Sequence, residues 1–238
     1  MSRDRTYFLL RRLHSLTGVV PAGIFLVVHG LINTGALLGE CSFTEGVQLV
    51  NRMPYLPYVE IFGILLPILF HALLGLWMVV VQSSYNNMSY NYSRNWWYTI
   101  QRVTAVIVLV FLGWHLWSTW LAKQLGQIRL EGFYQHLVDG MSGDQVTLVM
   151  YSVGTLAASF HLMNGLWGFF ASWGITQSRK SQRAAGWLFG LGGAAFFALW
   201  LNIIFHFARG GTIGPDNLIP VQEPPVVCGA QELAQDDR

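Results

Sequence analysis

Hydrophobic residues run in five long blocks, near 15–38, 58–82, 97–121, 146–174 and 184–208, and polar residues gather in the segments between them. A helix needs about 20 apolar residues, at about 1.5 Å of rise each, to cross the hydrocarbon of a bilayer. Lipid offers backbone groups no hydrogen-bond partners, so a chain that crosses it in separate blocks must be helical in each. The pattern therefore predicts an all-α integral membrane bundle of five transmembrane helices within residues 1–210, with loops between them. Residues 211–238 are polar and contain proline, and they are expected to form a flexible tail. Pro21 and Pro67 fall inside the first two blocks, where each is expected to kink its helix. The first block is long and lacks a small-residue cleavage pattern, so it reads as a retained helix, not a removable signal peptide.

Composition agrees with this topology. Hydrophobic residues make up 53% of the chain and charged ones 11%, with a mean hydropathy of +0.42. A soluble domain is excluded, and no nucleic-acid partner is expected. The charges then orient the molecule. Nine of the fourteen basic residues fall on the N-terminal side: Arg3, Arg5, Arg11, Arg12, Arg94, Arg102, Arg179, Lys180 and Arg183. Only one of the twelve acids, Asp4, joins them, so that side carries +8 and the other −6. By the positive-inside rule the N-terminus is cytoplasmic and the C-terminus outside, in a bacterial cytoplasmic membrane. The basic face would attract acidic lipid or an acidic partner. Cys41 and Cys228 both fall on the outer side, where an oxidising compartment could pair them; the preferred reading is two unrelated small residues.

Four of the seven histidines change the picture most. His29, His71, His115 and His161 sit one apiece in the first four blocks, 42, 44 and 46 residues apart. Ionisable groups inside a membrane are costly and usually have partners. Depth along alternating helices pairs His29 with His115 toward the outer side and His71 with His161 nearer the cytoplasm. A local repeat supports the pairing, since His71-Ala-Leu-Leu-Gly75-Leu-Trp and His161-Leu-Met-Asn-Gly165-Leu-Trp both read H-x-x-x-G-L-W. Gly75 and Gly165 lie one turn from their histidines on the same face and leave room for a flat macrocycle. Thr17 and Thr104 precede His29 and His115 by 12 and 11 residues in a second repeat.

Two imidazoles at each of two depths suit two bis-histidine haems. A structural zinc site would draw four ligands to one point, and no carboxylate lies near these histidines in sequence, which argues against a di-iron site. The plainer alternative is four histidines that each bond a neighbouring carbonyl. Arg12 and Arg102 sit where haem propionates would point, or act as snorkelling anchors at the membrane boundary. His14 is expected at the interface, bonding a haem propionate or a partner subunit or simply facing water, and His136 in solvent, while His206 reads as a boundary residue or part of a quinone pocket. Glu60, 11 residues before His71, is the one acid close to a helix interior. It is either a proton relay at an outer quinone site or an interfacial carboxylate in water.

The segments RRLHSLTGVVPAGIFLVVH, LPILFHALLGLW, SRNWWYTIQRVTAVI, GWHLW and FHLMNGLWGFFASWGI resemble the five-helix, di-haem cytochrome b membrane anchor of succinate:quinone oxidoreductases, the succinate dehydrogenase and fumarate reductase type. The resemblance spans about residues 7 to 180 and includes all four histidine positions. It implies two haem b groups and a quinone, with menaquinone the usual one for this type. It also implies a flavoprotein subunit carrying FAD and an iron–sulfur subunit, both docked on the cytoplasmic face. The chain alone would catalyse nothing and would pass electrons between iron–sulfur centres and quinone. Ser159 stands where some members of that family place an acid. Competing readings are the di-haem anchor of a hydrogenase or formate dehydrogenase, and a membrane scaffold with structural histidines.

Overall fold

A computed structural model describes residues 3–81 and 92–211. The expected tail, apart from Gly211, therefore lies outside the described residues. Five helices are long and apolar enough to cross a membrane: α1 (Arg5–Leu38), α3 (Leu56–Val80), α4 (Ser93–Gln124), α6 (Gln145–Ser172) and α7 (Arg179–Ala208). Two shorter helices, α2 (Glu40–Asn51) and α5 (Phe133–Gly143), lie at the acidic end. No strand occurs among the described residues.

α1 begins at Arg5, ten residues before its apolar block near 15, because its arginines have aromatic partners. The Arg11 guanidinium lies 5.8 Å from the Tyr7 ring centre. Arg12 lies 4.9 Å from Phe8 and 4.7 Å from Trp173. Such contacts let a cationic side chain extend a helix through the interface without leaving its apolar stem in water. The prolines do not break their helices. Pro21 sits within a π-helical stretch, Gly18–Gly23, and another, Val59–Leu65, ends two residues before Pro67. A wider turn absorbs the missing N–H of a proline with less disruption than a break.

α6 is the central helix and packs against both α4 and α7. Helices apolar all round are built for burial. Asp144 caps it: its carboxylate accepts from the N–H groups of Val146 (3.0 Å) and Thr147 (2.9 Å) and from the Thr147 hydroxyl (2.7 Å). The Thr147 hydroxyl, then the two N–H groups, hold the Asp144 carboxyl below its ordinary value near 3.8. A depressed folded-state value means that the cap stabilises above the unfolded value and is lost as pH falls through the folded one. Asp144→Ala should therefore lower the melting temperature at pH 7, and the difference from wild type should shrink as pH falls below about 4.

The segments read as loops at the acidic end contain α2 and α5, which form a cap. Tyr134, Leu137, Val138 and Met141 are all buried, at the i, i+3, i+4, i+7 spacing of an amphipathic helix. They meet Phe43 of α2 and Trp200, Ile203, Ile204 and Phe207 of α7 in the main buried apolar cluster. Gly39, at φ 115°, makes the turn from α1 directly into α2, a conformation that side chains disfavour. His206 is buried and shares a 2.8 Å hydrogen bond between its Nε2 and the Tyr134 hydroxyl, which donates to Gly211 O at 2.7 Å. Burial, then Glu40, pushes the Tyr134 phenol up to about 12, so its proton stays on. Tyr134→Phe leaves the His206 nitrogen buried and unpaired and should cost about 1–3 kcal/mol, read as a lower thermal midpoint. Cys41 is disulfide-bonded, against the expectation of an unrelated small residue. Cys228 lies outside the described residues.

Candidate cofactor site

α1, α3, α4 and α6 enclose a cavity of about 2430 Å³ that reaches from Arg11, Arg12, Arg94 and Arg102 at the basic end to Asn51, Glu60 and Lys123 at the acidic end. Pockets for one small ligand usually run about 300–1,000 Å³, so this one has room for two large flat groups. All four membrane histidines line it. His29 and His115 come together with ring centres 6.1 Å apart, and His71 and His161 with ring centres 6.2 Å apart. These are the pairs that depth along the helices predicts.

Each ring is held through Nδ1, and the two ends differ in how. At the basic end both partners are backbone carbonyls: His71 Nδ1 lies 2.8 Å from His14 O, and His161 Nδ1 lies 3.2 Å from Gln101 O. At the acidic end both are side chains. His115 Nδ1 lies 3.2 Å from the Tyr151 hydroxyl, and His29 Nδ1 lies 3.5 Å from the Asn33 amide nitrogen, which also donates to His29 O at 2.8 Å. Aromatic rings brace the acidic-end pair, with Phe25 5.4 Å from His29 and Phe111 5.6 Å from His115.

The other expected site residues are placed as follows. Arg12 lies on the cavity wall with its guanidinium between Phe8 and Trp173. Arg102 lines the same end, over the Tyr98 ring and bonded to the Tyr98 hydroxyl. Gly75 and Gly165 both line the cavity; the space beside Gly75 is taken up by the His14 ring, whereas beside Gly165 the nearest side-chain atom stands at ordinary contact distance. A Cβ on Gly75 would meet His14 Cε1 at 2.8 Å, and one on Gly165 would meet Gln101 Nε2 at 3.5 Å. Glu60 is drawn into a polar cluster instead of facing bulk water. Lys123 Nζ donates to its Oε1 (3.4 Å) and to Asn51 Oδ1 (3.3 Å), and Trp120 Nε1–H donates to its Oε2 (3.1 Å). The Glu60 side chain is 17% exposed.

Two histidines are not where the sequence reading puts them. His14 stacks on His71, ring centres 3.9 Å apart and 9° from parallel, and its Nδ1 is buried with no hydrogen-bond partner. His136 lies on α5, and its Nε2 reaches Ser118 O at 3.1 Å. His206 does not line the cavity and belongs to the cap.

No family model matches the chain. The succinate dehydrogenase cytochrome b558 subunit of Bacillus subtilis (strain 168) is 37% identical over 207 residues, which is 87% of this chain and 100% of that protein. The chain belongs to the succinate dehydrogenase cytochrome b subunit family. In this member of the cytochrome b subunit family, the residues that sequence reasoning missed are those that hold the histidines: His14, Gly18, Gln101, Tyr151 and Asn33. A Cβ on Gly18 would meet His71 Nδ1 at 2.8 Å, so the glycine of the Leu-Thr-Gly segment makes room for that ring. The repeat around Thr17 and Thr104 was a visible signal for His14 and Gln101, each three residues earlier. Nothing in the sequence pointed to Tyr151 or Asn33.

Proposed function

We propose that the chain is the di-haem membrane anchor of a bacterial succinate dehydrogenase or fumarate reductase, passing electrons between an iron–sulfur subunit and quinone, with menaquinone the expected partner. The observation that carries the reading is the pair of imidazole pairs at matching separation inside one cavity. An imidazole nitrogen bonds a first-row metal at about 2.0–2.1 Å, which puts two imidazoles on opposite sides of one metal roughly 6 Å apart at their ring centres. Among the described residues no three His, Cys, Asp or Glu side chains converge to hold an ion unaided. Two nitrogen donors alone would suit a metal whose other ligands come from a macrocycle.

His71 and His161 would hold the haem at the basic end, and His29 and His115 the one at the acidic end. Haem held by these imidazoles would supply one-electron transfer. The residues of this chain orient those imidazoles. An Nδ1–H that donates to His14 O, Gln101 O or the Tyr151 hydroxyl leaves Nε2 with the lone pair that a metal needs. Arg12 and Arg102, fixed by aromatic stacking at the cavity's basic end, supply positive charge for propionates. Gly75 would make room for the His14 ring that lies on His71.

The flavoprotein with FAD and the iron–sulfur subunit would dock on the basic face, which the positive-inside rule makes cytoplasmic. Glu60, at the opposite end of the cavity, would relay protons to quinone there. Membership of the succinate dehydrogenase cytochrome b subunit family favours this reading over a hydrogenase or formate dehydrogenase anchor. A redox-titrated absorption spectrum of the purified complex tests it. Two b-type components, both reducible by succinate, are expected. A haem-free complex, or a single component, would overturn the reading.

A further inference from the structure

We propose that Gln101 is a positioning residue for His161, and that with Thr104 it forms one of two copies of a cradle that holds and tunes the basic-end histidines. The inference rests on the bis-histidine reading above. Gln101 bonds α6 three times around one residue. Its carbonyl oxygen takes the His161 Nδ1 at 3.2 Å, its side-chain Nε2 donates to His161 O at 3.0 Å, and its Oε1 accepts from Asn164 Nδ2 at 2.9 Å. The side chain therefore clamps the backbone of the same histidine whose ring the main chain of Gln101 orients. Gly165, one turn beyond His161, borders this amide: a Cβ there would lie 3.5 Å from Gln101 Nε2, an ordinary contact distance.

The second copy is built from α1 and α3. His14 O takes His71 Nδ1 at 2.8 Å, the His14 ring lies flat on the His71 ring, and its Cε1 occupies the space beside Gly75. In both copies the residue beside the ligand is followed three positions later by a threonine whose hydroxyl is shared between that carbonyl and the one before it. Thr104 Oγ1 lies 3.1 Å from Gln101 O and 2.8 Å from Ile100 O, and Thr17 Oγ1 lies 3.1 Å from His14 O and 2.9 Å from Leu13 O. The H-x-x-x-G and Thr repeats thus form one unit, repeated around the bundle.

The chemistry follows from sharing one acceptor. A carbonyl oxygen has two lone pairs, and a hydroxyl bound to it draws off density that the Nδ1–H would otherwise meet. The threonine therefore weakens the pull on the imidazole proton. A ligand whose Nδ1–H is pulled less is less basic and favours the reduced metal. Removing the hydroxyl should make the imidazole more basic and lower the potential. The acidic-end histidines have no such carbonyl, since their Nδ1 atoms meet Tyr151 and Asn33. The effect should therefore fall on one component alone.

The test is a potentiometric titration of the whole complex carrying Thr104→Val, Thr17→Val or Gln101→Leu, with each b component followed separately. Each threonine variant should lower the potential of the basic-end component by a several-fold change in its oxidised-to-reduced ratio, where tenfold is about 59 mV for one electron. The acidic-end component should stay in place. Gln101→Leu should lower the occupancy of the basic-end component several-fold relative to the other. The threonine variants keep the side-chain shape, so they remain informative where Gln101→Leu does not assemble. Basic-end potentials unchanged in both threonine variants, or both components moving together, would overturn the proposal. A wild-type complex without two b components would instead remove the haem reading beneath it.

Discussion

Replacing His161 with alanine should halve the haem bound per chain and abolish one of the two proposed b-type redox components, leaving the other at its wild-type potential. His71→Ala does the same to the same component, because the two rings face each other at 6.2 Å. His29→Ala and His115→Ala remove the other component instead, since those rings form the second pair at 6.1 Å. The effect is all-or-none because alanine offers no donor and no neighbouring side chain can take over. Among the described residues no third His, Cys, Asp or Glu joins either pair as a metal-binding group. His14 is the one histidine stacked on a pair member, and its Nδ1 faces no acceptor. Haem counting with a redox-titrated spectrum reads the outcome. Loss of both components in every single variant would mean that the histidines support the fold and do not divide into two sites.

Glu60→Gln should cut quinone turnover by about 100-fold, the low end of the range for a lost general acid–base group, while both b components stay bound and reducible. Three observations favour the carboxylate over an idle surface acid. It lines the acidic end of the cavity, it is 17% exposed, and it is pinned by Lys123 and Trp120. A glutamine keeps the shape and can still accept from Trp120, but it carries no proton to give. Lys123→Met should weaken turnover less, because it removes the neighbour and not the proton carrier. Succinate-driven quinone reduction with haem reduction monitored in parallel separates the two effects. Turnover equal to wild type in Glu60→Gln would retire the relay.

Much of the architecture was legible along the chain. Five apolar blocks gave five spanning helices, because a hydrocarbon slab leaves the backbone no other solution. Even the pairing of the histidines followed from counting residues along rods of known rise. The breaks in that reading have physical causes. The start of α1 was placed late because hydropathy counts arginine as polar, whereas Arg11 and Arg12 lie against aromatic rings. The helices α2 and α5 were taken as loops. They are short, and the apolar spacing of Tyr134, Leu137, Val138 and Met141 gains meaning only once α7 is beside it to be covered.

What the linear order determined by itself is which residue types stand at which depth: five spans, one histidine in each of four, and a basic and an acidic end. Periodicity and charge are properties of the chain, and a membrane converts them directly into position. What only the tertiary structure decided is what each ring touches. The glycine after His71 makes room for the His14 ring, and the carbonyls that meet the ring nitrogens come from other helices, 57 and 60 residues away in the chain. Those contacts depend on the azimuth and spacing of neighbouring helices. Both are set by close packing among α1, α3, α4 and α6, which no one-dimensional pattern encodes.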